Sequence, residues 1–434
     1  MRCHYRTEAK KNRSVACNQI LTSTMADRRN PLLSKAQLSI GMANLLIHFD
    51  NALYGYLIPI MAPLFFPQKE LLIQLIWGYS PFFISFIAKP FGLLFFSKMA
   101  DRKKEMIVLR YTLLGIGISV AGLGCLPIYK EGPLWTVVLL CLARGCTELC
   151  AAGAYNVSKI YLLKGVTLQQ AKRLAAFYEV ASMMGILLAG TVGFCFVWID
   201  DPLPYWRLPF LIASLSTLCN ILFLSNTETE KKTNLMVPKT STYLPPWNER
   251  KSIMRITIVA GFGYVAYTIP FLFMSSFVPM VTTVTYRAMM KHLPIFMVLD
   301  IFVISWISKV GQKYDHNNLM GTASGLIALS IIPLFAGLQN ASILYITVVR
   351  CWLIFLGVIF SCFLTIWAKE QVATQTPYVT IGLATILGSS LFGKSAPAIC
   401  FYLFHKYHSP IAPACYVAFL AFVTTLIMAD SASE

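Results

Sequence analysis

The sequence consists of long apolar segments separated by short polar ones. A transmembrane α-helix needs about 20 predominantly apolar residues, and twelve segments of this chain meet the requirement. The predicted helices lie near residues 38–64, 71–97, 105–128, 134–161, 170–199, 205–225, 253–280, 287–308, 319–338, 341–368, 376–403 and 410–428. The pattern predicts an all-α membrane protein with twelve transmembrane helices.

One long polar segment, residues 226–252, interrupts this pattern and divides the predicted helices into two sets of six. We therefore expect an N-terminal bundle over residues 38–225, a cytoplasmic linker over 226–252 and a C-terminal bundle over 253–428. Residues 1–37 are basic and lack periodicity, which predicts a disordered cytoplasmic tail. Residues 429–434 are predicted to form a second, short cytoplasmic tail.

Composition supports the membrane interpretation. Of the 434 residues, 57% are apolar and only 13% are charged, and the mean hydropathy is +0.64. Soluble globular proteins do not have this composition, so we expect the lipid bilayer to be the protein's main partner. The 12 cysteines are scattered without a C-x-x-C pair, so no disulfide or metal site is predicted.

The net charge of +17 raises the possibility of a nucleic-acid partner, but the distribution of the charge argues against one. Most of the 36 Lys and Arg residues lie in the N-terminal tail and in the loops on its side of the membrane. Basic loops stay in the cytoplasm. We therefore expect both termini to be cytoplasmic and the excess charge to determine topology.

Several ionisable residues fall inside predicted helices, where lipid offers them no partner. A charged residue at the centre of a membrane helix costs about 2.5–3.5 kcal/mol on insertion scales. The residues are Asp50, Lys89, Arg144, Glu148, Asp300, Arg350 and Lys394. We expect them to line a central path through the protein.

Two acids are candidate proton carriers. Asp50 and Glu148 each lie within an apolar helix, and a carboxyl group in such a place can gain and lose a proton as its surroundings change. His48 is a candidate to assist them, although a single histidine beside a pore also packs as an ordinary polar residue.

Three bases suit a substrate that carries a carboxylate. These are Arg144, Arg350 and Lys394. The guanidinium of an arginine binds a carboxylate through two hydrogen bonds. The alternative is structural pairing: Arg144 with Glu148 one turn later in the same helix, and Arg350 with Asp300.

Aromatic residues on the same helix faces complete the predicted substrate site. Tyr54 is one turn after Asp50, and Tyr155 shares a helix face with Arg144 and Glu148. Their hydroxyls and rings can contact a polar or cationic substrate.

The loop after the second helix resembles a known signature. Lys89–Lys104, KPFGLLFFSKMADRKK, is similar to G-x-L-x-D-R-x-G-R-K of the major facilitator superfamily, with Asp101 and Arg102 at the matching positions. Gly311 and Asp315 occupy fixed positions of the same signature in the loop after the eighth helix. The resemblance implies that Lys89, Asp101, Arg102, Gly311 and Asp315 form a conformational latch, and the repetition indicates internal duplication.

Four further segments resemble the metabolite:proton symporters of that superfamily, which include proline/betaine transporters. The matching segments are NLLIHFDNALYGYLIPIMAPLFFP in helix 1, RGCTELCAAGAYNVSKIYLLK from helix 4, YWRLPFLIA in helix 6 and the region from Tyr378 to Pro397 in helix 11. Three acidic positions of the family are lost, at Ile47, Ala154 and Lys164, and Lys394 replaces a glycine.

Helix 11 also contains a phosphate-loop pattern. GSSLFGKS, residues 388–395, satisfies G-x-x-x-x-G-K-S. That motif acts between a strand and a helix, whereas here it lies within a long apolar segment, so we expect no nucleotide binding.

The resemblance implies a major facilitator fold of two pseudo-symmetric six-helix bundles, in a monomer of a bacterial inner membrane. It implies import of a small metabolite together with H⁺ by alternating access, without a cofactor and without enzyme activity. The excess of buried bases favours an organic anion such as a dicarboxylate or 2-oxoglutarate. A proline/betaine osmolyte symporter, an uncoupled facilitator or exchanger, and a non-transporting sensor remain as alternatives.

Overall fold

The computed structural model describes residues 33–67, 69–128, 135–163, 168–196, 198–199, 201–225, 249–310, 314–372 and 377–433. Within these residues, twelve helices are long and apolar enough to cross a membrane. They are α1 (Lys35–Phe65), α2 (Leu71–Tyr79, Ser80–Ile84 and Ser85–Arg102), α3 (Glu105–Gly124), α4 (Trp135–Leu163), α5 (Leu168–Phe196), α6 (Arg207–Ser225), α7 (Arg250–Val281), α8 (Tyr286–Val310), α9 (His316–Ala336), α10 (Ile343–Glu370), α11 (Pro377–Gly388, Ser389–Lys394 and Ala396–Tyr407) and α12 (Ile411–Ser433). The prediction of a twelve-helix membrane protein is confirmed.

The helix ends differ from the predicted domain limits by a few residues. Helix α1 begins at Lys35, inside the predicted tail, because Ser34 and Gln37 form a capping box that satisfies the first backbone N–H groups. Helix α7 begins at Arg250, inside the predicted linker. Helix α12 continues to Ser433 through the predicted tail 429–434. Residues 1–32 and 226–248 lie outside the described part of the chain.

The two halves repeat one packing scheme. In the first half α1 packs on α5, α2 on α4 and α3 on α6; in the second half α7 packs on α11, α8 on α10 and α9 on α12. Glycine permits the closest approach in both halves: a Cβ on Gly185 would strike the α1 backbone at Leu45, and one on Gly388 would strike the α7 backbone at Thr257. The shared scheme establishes two pseudo-symmetric six-helix bundles.

The bundles meet along α2 with α11 and along α5 with α8. At the membrane side opposite the N-terminus, the Tyr79 ring stacks on Phe401, with centroids 5.8 Å apart. The Tyr79 hydroxyl lies 3.4 Å from Ser276 Oγ, and the Tyr286 hydroxyl donates to the Tyr56 carbonyl at 2.7 Å. We call these five residues the distal gate; their contacts join the two bundles in this structure.

Three helices contain a proline or a π-helical turn that disturbs their regular hydrogen bonding, and in two of them a freed backbone carbonyl accepts from a side chain. Pro59 has no N–H, so the Gly55 carbonyl loses its helical partner and accepts from the Tyr79 hydroxyl at 3.2 Å. In α7 the segment Ile269–Phe273 is π-helical, and the N–H of Met274 bonds Ile269 instead of Pro270. In α11 a π-helical segment, Ser389–Lys394, contains most of the phosphate-loop pattern, so the pattern lies within a membrane helix.

Candidate substrate and ion site

Arg144 of α4 lies at the centre of a buried ion network. Its Nη1 donates to Asp50 Oδ2 at 2.8 Å, and its Nη2 donates to Asn51 Oδ1 at 3.0 Å and to Glu148 Oε1 at 3.4 Å. The guanidinium also lies over the Tyr54 ring, 4.5 Å from its centroid. The predicted Arg144–Glu148 pair therefore exists, but it is one part of a larger network.

Lys394 joins this network from the opposite bundle. Its ammonium group contacts Glu148 Oε1 and donates to Asn51 Oδ1 at 3.1 Å. It also lies 5.4 Å from the centroid of the Phe82 ring. Because Lys394 is on α11 and its partners are on α1 and α4, these contacts tie the two bundles together at membrane depth.

Lys89 completes the set of charges. Its ammonium group lies 3.6 Å from Glu148 Oε2, so cations from α2, α4 and α11 surround one carboxylate. With every group ionised, the three bases and the two acids Asp50 and Glu148 leave one net positive charge. An anion is the ligand that such a site favours.

The network has unsatisfied polar atoms. Asp50 Oδ1, Arg144 Nε and Glu148 Oε2 are buried without a hydrogen-bond partner. A buried polar atom left in this way costs about 1–3 kcal/mol. The side chains of the network therefore do not satisfy all of its buried polar atoms.

Arg350 forms a second, separate buried cation in the C-terminal bundle. Its Nε donates to the carbonyl of Pro270, which the π-helical turn leaves free, at 2.9 Å. Its Nη2 donates to Ser275 Oγ at 3.3 Å, and the guanidinium lies 4.5 Å from the centroid of the Phe296 ring. The suggested pair with Asp300 is not formed between these two described residues, because a freed carbonyl and a hydroxyl bind the guanidinium instead.

Asp300 lies at the boundary between the bundles. It is 4% exposed and lines a small cavity with Tyr267, Met297 and residues of α5 that include Met183 and Leu187. It thus faces the α5–α8 contact and lies apart from the Arg144 network.

His48 and Tyr155 contact each other between the network and the side of the membrane on which α1 begins. The Tyr155 hydroxyl forms a hydrogen bond with His48 Nε2, and the rings are perpendicular, with centroids 5.3 Å apart. The contact joins α1 to α4, with His48 about half a turn before Asp50 and Tyr155 about two turns after Glu148.

A comparison with protein families identifies this architecture. The sequence model of the Major Facilitator Superfamily matches residues 40–393. The chain belongs to this superfamily. It is a multi-pass membrane transporter of small molecules, and the predicted absence of enzyme function agrees with the transporters that resemble it.

Curated members of the superfamily that resemble the chain carry different substrates in their names. The alpha-ketoglutarate permease of Escherichia coli (strain K12) is 24% identical over 397 residues, which cover 88% of this chain and 89% of the permease. The ectoine/proline transporter of Corynebacterium glutamicum is 23% identical over 436 residues, covering 91% of this chain and 83% of that protein. The predicted resemblance to transporters of this kind is confirmed.

Solved superfamily structures share the fold. The xylose transporter from E. coli, in an inward-open conformation, superposes with a TM-score of 0.70 at 12% identity, covering 90% of this chain and 94% of that chain. A POT family transporter gives a TM-score of 0.68 at 12% identity, with 93% and 98% coverage. At such identities the likeness shows the fold alone.

The residues that match the superfamily's loop signature lie in different environments. Lys89 belongs to the ion network instead of the loop, because it lies more than three turns before the end of α2. Asp315 accepts from the N–H of Asn318 at 3.0 Å and caps α9, and Arg102 is exposed. The Asp101 side chain and Gly311 lie outside the described part of the chain.

The sequence interpretation missed Asn51, Ser275 and the Pro270 carbonyl. Asn51 follows Asp50 directly, and its Oδ1 accepts from both Arg144 and Lys394. A proline frees the carbonyl four residues before it and not its own, so no sequence signal indicated that the Pro270 carbonyl would be free. No sequence signal indicated that Lys394 would reach Glu148 in the other bundle of this transporter.

Proposed function

We propose that the protein is a secondary active transporter that imports a small organic anion, such as a dicarboxylate or 2-oxoglutarate, by proton symport. The observation that carries the proposal is the buried ion network between the bundles, which has more bases than acids and unsatisfied polar atoms. The similarity of the chain to an alpha-ketoglutarate permease, over most of both sequences, supports the same substrate class.

In this proposal the carboxylates of the substrate bind Arg144, Lys394 and Arg350 in the central path. A guanidinium or ammonium group forms shorter and stronger hydrogen bonds with a carboxylate than neutral groups form with each other. Tyr54 and Tyr155 contact the body of the substrate, and Asp300 contacts its polar groups.

Proton coupling is assigned to Asp50 and Glu148, with His48 as an auxiliary group. Both acids are 1% exposed, and Glu148 contacts Lys394 of the opposite bundle, whose position depends on the arrangement of the bundles. Residues Lys89, Asp101, Arg102, Gly311 and Asp315 are proposed to bias which side opens. We place the transporter as a monomer in a bacterial inner membrane with both termini in the cytoplasm.

The second candidate is an osmolyte symporter of the proline/betaine type. It is favoured by relatives such as the proline/betaine transporter of Salmonella typhimurium, which is 26% identical over 185 residues covering 42% of this chain and 37% of that protein. The aromatic rings of Tyr54 and Phe82 beside the network would suit a quaternary ammonium group. Loss of family acids at Ile47, Ala154 and Lys164 instead favours an uncoupled facilitator, an exchanger or a non-transporting sensor.

One experiment separates these candidates. Purified protein is heated with dicarboxylates, amino acids or betaines, and the same compounds are then tested for uptake into vesicles with and without an uncoupler. Stabilisation by 2-oxoglutarate or succinate and uptake that the uncoupler abolishes would support anion–proton symport. Stabilisation by betaines alone would establish the osmolyte function, and binding without uptake would establish a sensor.

A further inference from the structure

Glu148 and Asp50 differ in which bundle holds their partners. Asp50 pairs with Arg144 inside the N-terminal bundle. Glu148 also contacts Lys394, which belongs to the C-terminal bundle. Glu148 is therefore the acid of the network whose charge acts directly between the two moving parts of the transporter.

The structure also shows what an incoming carboxylate meets at Lys394. The ammonium group is occupied by the Glu148 carboxylate and by the Asn51 amide oxygen. An ammonium group has three donors. A substrate carboxylate that accepts from the donor now directed at Glu148 must displace Glu148. Glu148 keeps other cations when displaced, because Arg144 and Lys89 lie at 3.4 Å and 3.6 Å from its oxygens.

We propose that Glu148 is an internal competitor for the carboxylate of the substrate at Lys394, and that protonation of Glu148 releases Lys394 to the substrate. The proposal rests on the proposed anion transport and explains how that site would couple a proton to an anion. A proton on Glu148 removes the carboxylate that competes with the substrate for Lys394. An anion on Lys394 removes the cation that opposes protonation of Glu148. The proton and the anion therefore favour each other's binding. Reciprocal linkage requires that each raises the affinity for the other by the same factor.

The charges that face Glu148 support a doubly charged substrate. They come from Lys89 on α2, Arg144 on its own helix and Lys394 on α11, with Asp50 on α1 as the nearby acid. The network carries one net positive charge with Glu148 ionised and two when it is protonated. A dicarboxylate together with one proton would bring the site to neutrality.

Binding of 2-oxoglutarate to the purified full chain, measured by calorimetry at one mildly acidic and one mildly alkaline pH, tests the proposal. Wild-type affinity should be higher at acidic pH. Glu148→Gln should bind about tenfold more tightly than wild type at alkaline pH and lose the pH dependence, because the neutral amide no longer competes for Lys394 with a charge-assisted contact. Lys394→Gln should bind at least about tenfold more weakly at both pH values.

A charge-conserving variant separates competition from a change in net charge. Glu148→Gln combined with Lys89→Gln removes one acid and one base, so the net charge stays as in the wild type. It should still bind more tightly than wild type and without pH dependence, and it supplies the test if Glu148→Gln alone does not fold. The matched control, Glu370→Gln, removes an acid that contacts His316 Nε2 at the end of α10, away from the network, and should leave binding unchanged.

The outcomes distinguish this proposal from the function on which it rests. If wild type binds 2-oxoglutarate but both Glu148 variants bind more weakly, Glu148 supports the substrate instead of competing with it, and the proposal is wrong. Retention of the wild-type pH dependence in these variants would also overturn it. If wild type binds no organic anion at either pH, the proposed function itself fails.

Discussion

Arg144 illustrates how a single residue can depend on its neighbours inside a membrane protein. It is among the largest fully buried side chains of the described residues and is 1% exposed. Removing two charges from water is costly, and their attraction offsets this cost only when the geometry is good. The 2.8 Å contact with Asp50 meets that condition, and each partner therefore needs the other.

Replacement of Arg144 by leucine should destabilise the protein strongly. Removing one member of a buried ion pair typically costs about 3–5 kcal/mol because the other charge stays buried. Thermal unfolding in detergent should show this loss, and adding Asp50→Asn to Arg144→Leu should recover part of it. Arg102→Leu, at an exposed position, is the control and should change stability by less than about 0.5 kcal/mol. Equal effects of the buried and exposed changes would contradict the network's role.

Two glycines give a matched test of helix contact. An alanine Cβ at Gly185 would lie 3.0 Å from the Phe49 nitrogen and strike the Leu45 carbonyl, whereas one at Gly122 meets nothing within 4 Å. Backbone atoms cannot move aside as a flexible side chain can. Gly185→Ala should therefore cost about 1–3 kcal/mol, and Gly122→Ala should be neutral or stabilising. Equal melting temperatures for the two variants would show that α1 and α5 can separate freely.

At this scale the sequence could identify the members of the site but not their partners. Charged residues in apolar segments are conspicuous, which is why Asp50, Arg144, Glu148 and Lys394 could be selected in advance. Glu148 and Lys394 are 246 positions apart in the chain, and their contact depends on how two bundles dock. Arg350 and Asp300 were wrongly offered as partners because a freed backbone carbonyl is not visible in a residue pattern.

The helices themselves were largely predictable because the bilayer fixes their length. Their ends depended on capping groups, as at Ser34 and Ser342, whose side chains accept from backbone N–H groups of the first turn. The predicted end of α12 at residue 428 is too early: the helix continues to Ser433, and Asp430 pairs with Arg255 of α7. The π-helical turns of α7 and α11 were not predicted, since proline indicates a disturbed helix but not the form of the disturbance.

The distal gate includes one hydrogen bond that can be removed without changing packing. The Tyr286 hydroxyl of α8 donates to the Tyr56 carbonyl of α1 across the bundle boundary. Such a bond contributes about 0.5–1.5 kcal/mol, so Tyr286→Phe should shift the conformational equilibrium toward the open distal side by about two- to tenfold. Labelling of a cysteine introduced at Ser276 with a membrane-impermeant reagent, in a background without other cysteines, measures this shift.

Tyr345 provides the matched control for this change. Its hydroxyl donates to the Leu334 carbonyl at 3.1 Å, and both residues belong to the C-terminal bundle. Tyr345→Phe removes the same type of bond without crossing the boundary, so it should leave labelling at position 276 unchanged. If the two variants label alike, the bond to Tyr56 does not hold the gate closed.

For the molecule as a whole, the important distinction is between contacts that persist and contacts that must break. Two rigid bundles that rock about a central site keep their internal packing and exchange the contacts between them. The Gly193–Met290 contact, where a Cβ on the glycine would meet the methionine methyl group, joins α5 to α8 across the boundary. The Ser324–Thr425 contact, 2.9 Å between hydroxyl oxygens, joins α9 to α12 within one bundle.

Cross-linking these two pairs tests alternating access directly. Cysteines at Gly193 and Met290, joined by a short bifunctional thiol reagent, should lock the distal side closed, abolish uptake into vesicles and leave substrate binding in detergent intact, because alternating access would leave the other side free to open. Reduction of a cleavable linker should restore uptake. The same reagent on cysteines at Ser324 and Thr425 should leave uptake unchanged, since α9 and α12 move together. Uptake that persists with the first pair fully cross-linked would mean that substrate passes without separation of α5 from α8, and the rocking mechanism would then not apply to this transporter.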